Sequence, residues 1–167
     1  TEVSWVERFC SGLAEAASAY GVDVVGGDTS SSPVIVINVA LTGTLSERDG
    51  SRPDPLLRSN AIVGDVVGVT GHFGGAGAGL RLLTGTGDKR PSAGLMKALL
   101  RPVPRVSEGR VLREEGVRAA IDVSDGLLSD LGRVCGASGL SAVVDASAVP
   151  VHEDVHLCFS LDETLEI

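Results

Sequence analysis

From Trp5 to Tyr20 apolar residues return every three or four positions, with Val6, Phe9, Cys10, Leu13, Ala16 and Ala17 on one face. That period is the buried stripe of an α-helix, and Gly21 supplies its stop. Similar patterns predict helices over 76–83, 92–100, 105–115 and 126–135. Pro102 and Pro104 end the helix before them, and Pro104 also stands where a following helix start tolerates it. Between the helices lie short runs rich in β-branched residues, at 22–25, 34–41, 66–70, 119–123 and 141–145. The run Val34-Ile35-Val36-Ile37-Asn38-Val39-Ala40-Leu41 barely alternates with polar residues, which predicts a strand covered on both faces. Strands alternating with helices predict an α/β, α+β-layered fold. The stretch 45–65 is polar and carries Pro53, Pro55 and Gly64, so it reads as a linker, with a domain boundary near Arg58.

Composition narrows the class. At 167 residues and 43% hydrophobic content the chain can bury a core, and with 3% aromatics that core must be aliphatic. A net charge of −8 argues against nucleic-acid binding, which needs basic surface. No apolar run approaches a membrane span, and the first residues have neither the basic nor the apolar region of a signal peptide. Cys10, Cys135 and Cys158 are odd in number and far apart, with no CxxC, which predicts reduced, buried thiols in a cytoplasmic protein. The chain opens at Thr1 almost directly into a helix and closes at Leu165-Glu166-Ile167, and the expectation is that residues are missing on both sides.

Three segments are candidates for chemistry. In Ile121-Asp122-Val123-Ser124-Asp125-Gly126 a strand ends and a helix begins. Residues two apart on a strand share a face, so Asp122 and Ser124 point together, with Asp125 at the turn. Two carboxylates and a hydroxyl make a hard oxygen site suited to magnesium, which bridges phosphate oxygens during transfer. The simpler alternative makes Ser124 or Asp125 the N-cap of the helix. Asp122, a carboxylate among Ala119, Ala120, Ile121 and Val123, is expected to need a partner. In Val25-Gly26-Gly27-Asp28-Thr29 two glycines allow close approach to the main chain, whose N–H groups could cradle a phosphate beside Asp28. The alternative is an ordinary turn with a local Asp28–backbone bond. Gly71 to Gly79 lacks the Gly-Lys-Ser/Thr of a phosphate loop and reads better as small residues packing a helix closely on a sheet. Arg58 could reach a nucleotide phosphate with its guanidinium fork, or simply be solvated. His72, His152 and His156 have no metal-ligand spacing, and Asp145, Glu153 and Asp154 read as solvated charges.

Each motif alone is weak, but their order is specific. Trp5 and its helix are followed by Gly-Gly-Asp-Thr, a long strand, Arg-Ser-x-Ala-x-x-Gly-Asp, Val-Thr-Gly, Ala-Gly-Ala-Gly-Leu, Arg-Pro-x-Pro-Arg and Ile-Asp-x-Ser-Asp-Gly-Leu. From about Trp5 to Pro150 this succession resembles the thiamine-monophosphate kinases, within the aminoimidazole ribonucleotide synthetase-like superfamily.

The resemblance implies ATP-dependent phosphorylation of thiamine monophosphate to thiamine diphosphate. It implies that Gly27, Asp28, Arg58 and Ser124 contact ATP and that Asp28, Asp122 and Asp125 bind Mg2+. Residues 1–58 would be the C-terminal part of an N-terminal ATP-binding, dimerising domain, and 59–167 a C-terminal α/β domain incomplete at its end. The full-length enzyme would be a homodimer, and this stretch would be inactive alone. Asn60 stands where the family usually has glycine. An N-terminal carboxylate cluster and a Gly-Gly-Glu-Asp-Tyr-Glu segment, both expected of the family, are absent from these residues. Two alternatives are another superfamily member, such as aminoimidazole ribonucleotide synthetase, and a non-catalytic ligand-binding or dimerising module.

Overall fold

All five expected helices form in the computed structural model, which describes residues 2–45, 55–85 and 90–160. They are α1 (Val3–Ala19), α2 (Gly75–Thr84), α3 (Ala93–Leu100), α4 (Val106–Glu114) and α5 (Leu127–Ser138). A short helix that the periodicity did not predict, α6, covers Glu153–Cys158, and 3-10 turns form at Arg58–Asn60 and Ala146–Ala148. The chain divides into two compact units, Thr1–Ser51 and Arg52–Ile167.

The first unit is built on α1, which ends at Tyr20 with Val22 N–H bonded back to the Ala17 carbonyl at 2.8 Å. That bond closes off the last turn, as glycine-terminated helices commonly do. Trp5 and Phe9, one turn apart, stack with ring centroids at 5.7 Å and planes at 2°. Cys10 is exposed on this helix, where burial was expected.

In the second unit the core is small. Ala78 of α2, Leu95 of α3 and Val155 of α6 are fully buried, with Leu82, Val151, Cys158 and Phe159 packed around them. The sequence reading seated the small-residue helix on a sheet, and the structure seats it on α3 instead. A β-carbon at Gly79 would lie 2.8 Å from the Leu95 carbonyl oxygen, so only glycine lets the two helices come this close. The side chain of Ser92 caps α3 by accepting the Leu95 N–H at 3.1 Å. The Ser92 hydroxyl donates in turn to Asp154 at 2.5 Å, which ties α6 to the start of α3. His152 caps α6, its Nδ1 accepting the Asp154 N–H at 3.2 Å. Asp145, also expected to be a solvated charge, accepts the Ser147 N–H and hydroxyl at 2.9 and 2.6 Å.

The expected strand layer is the largest difference. Among the described residues, 22–25, 34–41, 66–70, 119–123 and 141–145 run as connecting segments without a hydrogen-bonded ladder. Outside those runs, the β-type contact among the described residues is one isolated parallel bridge, Phe73 with Val151. The side chains expected under cover are open, Val36 being 75% and Val143 99% exposed. Apolar β-branched runs favour an extended backbone, but a strand also needs a neighbour supplying the other half of its hydrogen bonds. That neighbour is non-local, and the local pattern cannot name it.

Candidate functional site

Helix α5 organises most of the candidate residues of the second unit. Residues 119–123 lead into a turn at Ser124–Asp125–Gly126, and Gly126 takes φ 110°, a value open in practice to glycine alone. The helix then starts at Leu127 with no side-chain cap, so neither Ser124 nor Asp125 plays the N-cap role weighed above. The first turn is satisfied from inside. Asp130, 1% exposed, accepts the backbone N–H groups of Ser124 at 2.9 Å and Asp125 at 3.0 Å on its Oδ2. The Arg133 guanidinium places Nη1 on Asp130 Oδ1 and Nη2 on Asp125 Oδ2. Burial alone would raise the Asp130 carboxyl, but the two backbone N–H groups and Arg133 outweigh it and hold the group below the usual carboxylate value. Nothing in the motif reading pointed to Asp130 or Arg133. An aspartate three residues before an arginine inside a helix was the available signal.

The candidate side chains of the turn are less committed than its backbone. Asp122 is exposed, so burial gives it no need of a partner, contrary to the sequence argument. Neither its carboxylate nor the Ser124 hydroxyl is hydrogen-bonded or ion-paired among the described residues. Asp125 is also exposed, but one of its oxygens is taken by Arg133.

Arg58 is held at the other end of α5. The Ser138 hydroxyl, on the last residue of the helix, donates to the Arg58 carbonyl at 2.8 Å and accepts the Ala61 N–H at 3.2 Å. Leu57 N–H bonds to the Arg118 carbonyl at 3.1 Å, tying the same segment to the approach to the motif. The backbone at Arg58 is thus fixed while its side chain stays exposed. From Leu127 to Ser138 the helix rises on the order of 16 Å, which separates the two sets of candidates along its length. Arg58, Asp122, Ser124 and Asp125 all line one broad depression of about 2430 Å³, together with His72 and Arg105. A space that large exceeds the roughly 300–1,000 Å³ of a fitted small-molecule pocket. Arg105 pairs with Glu108 at 3.1 Å.

Gly27 and Asp28 belong to the first unit. Asp28 Oδ1 accepts the Thr29 N–H at 2.7 Å, which is the local turn bond of the simpler reading. A β-carbon at Gly26 or Gly27 would meet nothing within 4 Å, so no contact inside the structure requires glycine there.

The donors suit a hard cation in kind. Magnesium is commonly held by one or two carboxylates, with waters and substrate phosphates completing the shell. Asp122 and Asp125 match that pattern. No group of three or more His, Cys, Asp or Glu placed to hold a metal occurs among the described residues.

Comparison with known proteins matches residues 63–166 to the AIR synthase related protein, C-terminal domain, and residues 1–45 to the AIR synthase related protein, N-terminal domain. The chain belongs to the AIR synthase related protein family, and its fold is of that type. Within it, the chain is similar to the thiamine-monophosphate kinase of Buchnera aphidicola subsp. Schizaphis graminum, 35% identical over 164 residues, covering 96% of this chain and 49% of that protein. It is also similar to the thiamine-monophosphate kinases of Methanopyrus kandleri, at 37% identity over 90% of this chain and 46% of that one, and of Bacillus subtilis, at 34% over 91% and 47%. The resemblance read from the order of the motifs is the one these relatives carry. The chain spans about half the length of the curated relatives it matches. No solved structure matches it significantly.

Proposed function

We propose that this chain carries part of the site of an ATP- and magnesium-dependent kinase that converts thiamine monophosphate to thiamine diphosphate. Its similarity over nearly the whole length to several thiamine-monophosphate kinases supports this reading. The observation that carries it is the turn at residues 122–126. A buried carboxylate pins the backbone of that turn, while Asp122 and the Ser124 hydroxyl are exposed and have no partner among the described residues. Such spending of internal hydrogen bonds on a main chain that leaves polar side chains unused is the form of a binding turn.

In this assignment Gly27, Asp28, Arg58 and Ser124 contact ATP, and Asp28, Asp122 and Asp125 hold Mg2+. The cation, when bound, offsets charge on the phosphate oxygens. The work of the chain is positioning. The Ser124 hydroxyl donates to a phosphate oxygen, the Arg58 fork binds another, and N–H groups at Gly26–Gly27 accept the close approach that open glycines permit. A substrate phosphate oxygen then attacks the γ-phosphorus directly, and the bond from that phosphorus to the β,γ-bridging oxygen breaks as ADP leaves. Residues 1–58 are assigned to an ATP-binding, dimerising domain and 59–167 to the second domain of a cytoplasmic homodimer. Among the described residues no helix is long and apolar enough to cross a membrane.

The test is binding of ATP with Mg2+ to the 167-residue chain, measured by calorimetry. The expected result is measurable binding that changing both Asp122 and Asp125 to Asn abolishes, with little or no thiamine diphosphate formed by the chain alone. Equal nucleotide affinity in the double variant would remove both residues from the site.

A further inference from the structure

Among the described residues Asp130 is the buried charged side chain, and Arg133 connects it to the surface. A guanidinium presents its N–H groups in a rigid plane. Here Nη1 is fixed on the buried Asp130, so Nη2 is delivered to a set place beside Asp125. The backbone N–H of Asp125 is held by the same Asp130 carboxylate. Main chain and side chain of Asp125 are therefore both referred to one buried anchor. Asp125 already has an opposite charge without any ligand, whereas Asp122, at the start of the same motif, has none among the described residues.

We infer that Arg133, anchored on Asp130, is a built-in counter-ion that keeps Asp125 in place in the free protein and is displaced when a divalent cation binds there. The inference rests on the assignment of Asp125 as a cation ligand made above. It makes Asp130 and Arg133 positioning residues. A cation reaching Asp125 competes with a guanidinium rather than with water alone. The competition is mild, because the Arg133 and Asp125 side chains are 45% and 55% exposed and solvent screens the pair. Exposed pairs of this kind correspond to a shift of roughly two- to fivefold in a binding constant.

The experiment titrates the 15N-labelled full chain with Mn2+ alone and follows broadening of the amide signals of residues 124–126. The expected midpoint for Arg133→Gln is roughly two- to fivefold lower in Mn2+ than wild type. Arg133→Lys, which keeps a charge but cannot span both carboxylates, should fall between the two. Asp125→Asn should lose the broadening. Loosening of the turn as a merely structural effect would weaken Mn2+ binding, the opposite direction. A midpoint for Arg133→Gln at or above wild type, with broadening still lost in Asp125→Asn, overturns the counter-ion role and leaves the cation assignment standing. Wild-type broadening in Asp125→Asn overturns both. If Arg133→Gln does not fold, Arg133→Lys decides, and a midpoint equal to wild type refutes the inference.

Discussion

Glycine to alanine at two kinds of helical position should change stability in opposite directions. At Gly132 and Gly136 of α5 an added β-carbon meets nothing within 4 Å. There alanine restricts the unfolded chain and suits the helix, for a gain of about 0.5–1 kcal/mol each. At Gly79 of α2 the same β-carbon would stand 2.8 Å from the Leu95 carbonyl oxygen and 3.3 Å from its carbon. Both atoms are backbone, so no side-chain rotation relieves the clash and α2 must move away from α3. Overpacking of this sort costs about 1–3 kcal/mol. The helix-propensity gain of about 1 kcal/mol offsets part of that cost. The net for Gly79→Ala is then a loss of up to about 2 kcal/mol, and the gap between it and Gly136→Ala is about 0.5–3 kcal/mol. Urea unfolding of the two variants measures the gap directly, provided the slopes agree. Gly79→Ala as stabilising as Gly136→Ala would show that α2 and α3 are not in the close contact described here.

Two further outcomes follow from the core and the turn. Leu95→Ala removes a fully buried side chain from the small core of Ala78, Leu95 and Val155, and should destabilise the second unit by about 2–5 kcal/mol in thermal or urea unfolding. Asp130 has a folded pKa below its unfolded value, so its contribution is fully present above the ordinary carboxylate value near ~4 and is lost as pH falls further, through the folded value. Amide exchange at Ser124 and Asp125, followed as acid is added, should therefore lose its protection below about pH 4 and not above it.

The linear order of residues determined a good deal. Helices α1 to α5 were legible because their periods of three and four, and their glycine and proline stops, are short-range properties. The family was legible because a succession of weak motifs in one order is specific even where each motif is not. Residues 121–126 were legible as a turn between an extended run and a helix, but not as the structure builds it. What holds that turn is Asp130 on the next stretch of helix, and an aspartate inside a helical pattern looks like any solvated charge until its burial is known. The same is true of Asp154, whose partner Ser92 is 62 positions away. It is true of Ser138, which reaches back 80 positions to the Arg58 carbonyl. Gly79 announced close packing, but that its neighbour is α3 depends on how the helices assemble. The apolar runs such as 34–41 announced an extended backbone and nothing about a partner. Periodicity is set by a residue's own backbone and nearest neighbours, whereas burial, ion pairing and strand pairing join residues far apart in the chain, and only the folded chain brings them within reach.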